Sequence, residues 1–168
     1  MVFEWIRTIL ILPMNVLVFI PAIVLYCAGY QWTPNHPALL MLGGILLMLG
    51  LSLAGWTMRL FAVKGKGTAA PWNPPKKLVV SGPYRYVRNP MITSVLTMQI
   101  AEALLLNTWL CWLLFALFWS INMIYFPLFE EKDLEKRFGE SYLEYKRNVP
   151  RWIPRLTPWT PPSDGVEQ

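Results

Sequence analysis

The chain has 168 residues, 55% of them hydrophobic and only 15% charged, with a formal net charge of +5 and a mean hydropathy of +0.37. Ordinary soluble domains are about 45–50% apolar and about 25% charged. The composition therefore excludes a soluble enzyme, a secreted disulfide scaffold and a disordered tail, and leaves a small integral membrane protein forming a single domain over residues 1–168.

Residues 8–58 contain no Asp, Glu, Lys or Arg in 51 consecutive positions, and residues 89–129 contain only Glu102. A spanning helix needs about 20 apolar residues, so each block is long enough to cross a bilayer twice. The turn-rich stretch Gly29 to Pro37 divides the first block and predicts spans over 8–28 and 38–63. The apolar run after Arg7 is too long for a signal-peptide core and no A-x-A site follows it, so no cleaved signal is expected. Leu106-Asn107-Thr108 divides the second block into spans over 91–106 and 109–129. The third span is short, which calls for an off-centre position or a locally thinned bilayer. Trp32, Trp109 and Trp112 cluster at the two uncharged turns, as an interfacial aromatic belt would.

The basic residues set the orientation. Lys64, Lys66, Lys76, Lys77, Arg85 and Arg88 lie in the loop 64–90, which has no acid, whereas the hairpin turns have no Lys or Arg. The tail 130–168 adds seven Lys and Arg against eight acids. By the positive-inside rule the loop, the tail and both termini are cytoplasmic, in a multi-pass protein of a prokaryotic inner membrane. The net positive charge is thus mainly a topology signal, with anionic headgroups as a secondary partner and no nucleic acid expected. Cys27, Cys111 and the lone His36 make neither a disulfide framework nor a metal site.

Two segments carry candidate chemistry. In Ser81 to Met91, Asn89 reads as an N-cap and Pro90 as the first residue of a helix. The N–H groups of Met91, Ile92 and Thr93 would then lack intrahelical partners. With the helix dipole and Arg85 or Arg88 they form an anion site; alternatively they are simply a capped helix start. In the second segment Pro127 should kink or break the fourth span just before Glu130 and Glu131. If the helix continues, this carboxylate pair faces its negative end and calls for a cation; if it breaks, the pair opens a new helix.

Further on, Leu134, Phe138, Tyr142, Tyr145 and Val149 recur at three- or four-residue spacing. They predict the apolar face of an interrupted amphipathic helix that lies on the membrane or caps the loop, with Arg151 to Pro154 docking afterwards. Gly65-Lys66-Gly67-Thr68 lacks the third glycine and the βαβ context of a dinucleotide fingerprint. Pro71 to Pro75 reads as a stiff linker able to cover a cleft. Glu102, with Gln99 one turn before it, is either a substrate-pocket residue or a protonated packing residue. Its depth differs from that of Arg59 by roughly 10 Å, which argues against a pair.

Taken together, Gly82 to Pro90, Glu130-Glu131, Phe138-Gly139, Tyr142, Tyr145 and Val149 to Arg151 resemble the isoprenylcysteine carboxyl methyltransferase and phospholipid methyltransferase superfamily over roughly residues 65–156. The resemblance implies an all-α integral membrane protein with about four transmembrane helices and a cytoplasmic amphipathic C-terminal segment. It also implies S-adenosylmethionine as cofactor and methyl transfer to a lipid-like or small amphipathic acceptor. Carried over by position, cofactor contacts fall on Tyr84, Arg88, Asn89, Pro90, Met91, Ile92, Glu130 and Glu131. The candidate catalytic positions are Arg151 and, from its place inside a span, Glu102. Asn89 stands where the motif has histidine, Ile92 where it has tyrosine and Ser94 where it has glycine. The competing classes are an NADPH-dependent reductase of sterol-reductase type and a non-catalytic membrane protein.

Overall fold

A computed structural model of the chain describes residues 13–68 and 74–161. Residues 8–12 of the first expected span, 71–73 of the proline linker and 162–168 of the tail lie outside the described residues. Within them the chain is all-helical, in five helices: α1 Asn15–Cys27, α2 Pro37–Gly65, α3 Pro90–Leu106, α4 Trp109–Phe138 and α5 Glu140–Asn148. Helices α2 and α4 are long and apolar enough to cross a membrane, whereas α1 and α3 are shorter apolar helices.

Local chemistry fixes the helix ends. His36 precedes Pro37 and its Nδ1 accepts from the Ala38 N–H at 3.3 Å, opening α2. Thr108 opens α4 in the same manner, its hydroxyl accepting from the Leu110 N–H at 3.4 Å. Gly139, at φ +55°, separates α4 from α5.

Pro127 does not break the fourth helix, contrary to one of the two expectations for it, a kink or a stop. The helix runs on to Phe138 through one wider turn, Phe126–Glu130, in which the Glu131 N–H bonds the Phe126 carbonyl five residues back. Proline has no N–H to place in the ladder, and a π-turn accommodates both the gap and the ring. This changes which residue stacks on which: Glu131, rather than Glu130, comes to lie over Phe126.

Helices α2 and α3 pack closely through small residues at seven-residue spacing. A Cβ at Gly50 would come within 2.5 Å of Met98 Cγ and 3.1 Å of the Ser94 carbonyl; one at Gly43 would meet Leu105 Cγ at 2.9 Å. Thr57 continues this stripe on α2, and Ser94 and Ala101 answer it on α3, all fully buried. Where lipid replaces water, such close packing is the main attraction between helices.

The short α3 ends under a roof. The turn between α1 and α2 donates to its last carbonyls: Tyr30 Oη to Leu106, Trp32 Nε1 to Leu105 at 3.1 Å and Asn35 Nδ2 to Leu104 at 3.2 Å. A helix leaves its final carbonyls without backbone partners, and these three side chains supply donors at the end of this 17-residue helix, about 25 Å long.

At the other end, the amphipathic face predicted from Leu134 to Val149 caps the loop. Tyr142, Tyr145 and Val149 are buried, with Leu78, Val80, Leu134, Phe138 and Trp159 packed around them.

Candidate functional site

The loop before α3 and the tail after α5 are tied together by backbone. The Arg88 N–H donates to the Pro150 carbonyl at 2.9 Å, Arg155 N–H to Tyr86 at 2.9 Å, and Trp159 N–H to Arg85 at 3.0 Å. The tail thus runs antiparallel along residues 85–88. Tyr145 donates its hydroxyl to the Tyr84 carbonyl at 2.7 Å from inside this junction. Burial pushes the pKa of both phenols up, so they stay neutral.

An ion cluster forms on this frame. Glu131, with its side chain only 3% exposed, receives Arg151 through Nε at 2.5 Å on one oxygen and Nη2 at 2.9 Å on the other. Arg88 Nη1 reaches the first oxygen at 2.9 Å, and Lys146 Nζ the second at 3.2 Å. Lys146 also bonds Glu135 at 2.6 Å. The Glu135 contact first, and Glu131 with it, hold the Lys146 ammonium above the ordinary lysine range. The bond to Glu131 likewise raises Arg151. A buried carboxylate is costly unless compensated; here three cations of the chain itself compensate it.

Glu130 is placed differently. Half-buried, it makes no hydrogen bond or ion pair among the described residues. One carboxylate of the pair is therefore filled internally and the other remains available.

Asn89 occupies the N-cap position before Pro90, as the sequence predicts, but its side chain makes no capping bond, and its Nδ2 is buried without a partner. The backbone explains this: at φ −119° and ψ +53° Asn89 lies outside the extended conformation usual at an N-cap. The Thr93 N–H, expected to be open, bonds the Asn89 carbonyl at 3.0 Å. Proline has no N–H, so Met91 and Ile92 are the first N–H groups of α3 that precede any helical acceptor. Tyr84 Oη and Arg88 Nε are likewise buried and unpartnered.

The structure thus brings Arg88, Glu131 and Arg151 into contact and sets Tyr84, Asn89, Pro90, Met91 and Ile92 on the adjoining loop and helix start. It does not bring Glu102 there. That residue lies one turn from the far end of α3, about 18 Å along the helix from Pro90, and it forms no ion pair with Arg59. Two contributors were not singled out by sequence reasoning. Lys146 could have been found as the neighbour, one turn on, of Tyr142. Trp152 was assigned only to docking.

Comparison with known proteins places the chain in a family. The chain is similar to methanethiol S-methyltransferase 2 of Bradyrhizobium diazoefficiens, 26% identical over 158 aligned positions that cover 83% of this chain and 58% of that protein. The chain therefore spans well under two thirds of the length of that relative. No solved structure matches it significantly. The family model for phospholipid methyltransferases matches residues 38–141, which run from the start of α2 through Glu130 and Glu131 into α5. By that match, the chain belongs to the phospholipid methyltransferase family.

Proposed function

We propose that the chain crosses the membrane four times, with α1 to α4 as spans and both termini cytoplasmic, and catalyses methyl transfer from S-adenosylmethionine at the cytoplasmic face. The observation that carries the cofactor assignment is the set of buried donors without acceptors, Tyr84 Oη, Arg88 Nε and Asn89 Nδ2. Unfilled buried donors are costly, and all three belong to residues to which the family resemblance assigns the cofactor. They suit a carboxylate at the start of α3, next to the Met91 and Ile92 N–H groups. Glu130, without an ionic partner, suits an ammonium or a sulfonium.

When bound, the cofactor supplies a methyl carbon whose bond to sulfur breaks, the electron pair returning to that sulfur, as the carbon bonds to a lone pair of the acceptor. The residues of this chain position the reactants and exclude water. Arg151 acts as a positioning residue, holding Glu131 and the tail against α4. Glu102 packs near the opposite end of α3 and takes no part in the transfer. The acceptor is a small amphipathic molecule that reaches the site through the bilayer, and the name of the relative favours a thiol, whose proton passes to water at the headgroup boundary.

Equilibrium calorimetry on the detergent-purified chain tests this reading with S-adenosylmethionine, its demethylated product and NADPH. The first two are expected to bind and NADPH is not. Glu130→Gln should weaken S-adenosylmethionine at least tenfold, about 1.4 kcal/mol. A smaller loss for the demethylated product, which lacks the sulfonium charge, would place Glu130 at the sulfur; an equal loss would place it at the ammonium. Binding of NADPH alone would replace the assignment by a reductase, and binding of none of the three would remove the cofactor.

A further inference from the structure

Three aromatic rings meet directly below the ion cluster. Trp152 lies with its ring centroid 5.1 Å from Trp119 and 5.5 Å from Phe126, tilted on the first and edge-on to the second. The wide turn of α4 puts Glu131 over Phe126 through their backbone hydrogen bond. Arg151, the neighbour of Trp152, grips Glu131 with two hydrogen bonds. One face of α4 therefore grades from Trp119 through Phe126 to Glu131, and one stretch of tail covers it, indole against the apolar part and guanidinium against the carboxylate. The Trp152 Nε1 is buried and has no acceptor. Buried tryptophan N–H groups normally find one, and leaving a buried donor unmade costs about 1–3 kcal/mol.

We propose that this aromatic cluster is the acceptor end of the site and that the Trp152 indole N–H donates a hydrogen bond to the sulfur of a small thiol. This rests on the methyltransferase reading and adds the location and polarity of the second substrate. The three rings carry no charge, and the Trp152 N–H is their one buried donor without an acceptor, which matches an apolar molecule with one hydrogen-bond-accepting atom. A phosphate or carboxylate headgroup would find a single neutral donor among aromatic faces. An indole N–H bonds a thiolate more strongly than a thiol, because the charge assists the bond. It therefore favours the nucleophilic form once the thiol proton has gone to water.

The test titrates ethanethiol, under anaerobic conditions, into the detergent-purified full chain, with and without S-adenosylmethionine. Trp152→Phe keeps an aromatic ring between Trp119 and Phe126 and removes the donor together with part of the ring volume. It is expected to weaken ethanethiol at least fivefold while leaving S-adenosylmethionine affinity within twofold. In turnover the variant should raise KM for ethanethiol more than it lowers kcat. In wild-type protein labelled with 15N-tryptophan, one indole N–H resonance should move on addition of ethanethiol, a readout that does not depend on the variant folding. Unchanged ethanethiol affinity in Trp152→Phe, or ethanethiol binding that moves no indole resonance, overturns the proposal. Wild-type protein that binds S-adenosylmethionine but not ethanethiol also overturns it and leaves the cofactor reading intact. Wild-type protein that binds ethanethiol but not S-adenosylmethionine would instead overturn the cofactor reading and leave the acceptor site.

Discussion

Glu130 and Glu131 are adjacent in sequence and have different surroundings, because successive residues of a helix point about 100° apart. Glu131 turns toward α5 and the tail, where Arg88, Lys146 and Arg151 converge on its two oxygens. Its removal leaves Arg88, only 9% exposed at the side chain, with an uncompensated charge. Breaking a buried pair in this way costs about 3–5 kcal/mol. Glu131→Gln should therefore lower the unfolding temperature in detergent by many degrees. Glu135→Gln, which loses a pair to Lys146 that is about one third exposed on both sides, should cost no more than about 1 kcal/mol. Thermal unfolding followed by far-ultraviolet circular dichroism compares the two directly. Equal losses would mean that the cluster is solvated and that Glu131 does not anchor the tail.

At the scale of elements, the contact of α2 with α3 is set by glycines of two kinds. Gly43 and Gly50 face α3 with no room for a methyl group, whereas Gly44 and Gly55 face outward with nothing within 4 Å. Gly50→Ala must push Met98 aside and press on the Ser94 carbonyl, an overpacking cost of about 1–3 kcal/mol. Gly55→Ala should stabilise by up to about 1 kcal/mol, since alanine is the better helix former and meets nothing. Opposite signs of the two changes in unfolding temperature are the expected result; matching signs would mean that α2 and α3 are not packed in this register. This packing was not readable in the sequence, because a glycine that faces a helix and one that faces lipid look alike in a run such as Leu42 to Leu51. The helices themselves were legible, since charge-free blocks and turn residues mark them directly. The extent of α4 was not, because Pro127 breaks an α-helical ladder but not one that widens for a single turn. For the candidate site, Arg88, Asn89 and the glutamate pair could be picked out from their spacing. The internal neutralisation of Glu131 could not, since it depends on Lys146 and Arg151 arriving from elements whose approach only the fold determines.

The whole molecule separates its charges by end. Lys64, Lys66, Lys76 and Lys77 lie together: the Lys76 N–H bonds the Gly65 carbonyl at 2.8 Å, and Gly67 packs directly on the backbone of Pro74 and Pro75. The opposite end presents Tyr30, Trp32 and Trp109, with no lysine or arginine between Gly29 and Pro37 or at Asn107 and Thr108. Between the ends, the outer face of α2 exposes Met41, Ile45, Met48 and Leu49 at 51–69% of their surface, an apolar band larger than a water-facing surface normally carries. The proposed topology puts lipid on this band, with lysines at one rim and tryptophans at the other, and the basic end in the cytoplasm. Single cysteines at Gln31 and Lys76, in a background without Cys27 and Cys111, report the sidedness. A membrane-impermeant thiol reagent applied to intact cells should label position 31, and position 76 only after the membrane is opened. Both substitutions preserve the local fold, since Lys76 uses only its backbone N–H to reach Gly65 and the Gln31 side chain is exposed. Labelling of position 76 but not 31 on intact cells would invert the protein. Arg88, Glu130 and Glu131 would then face away from the cytosol, where S-adenosylmethionine is made, and the proposed methyl donor could not reach them.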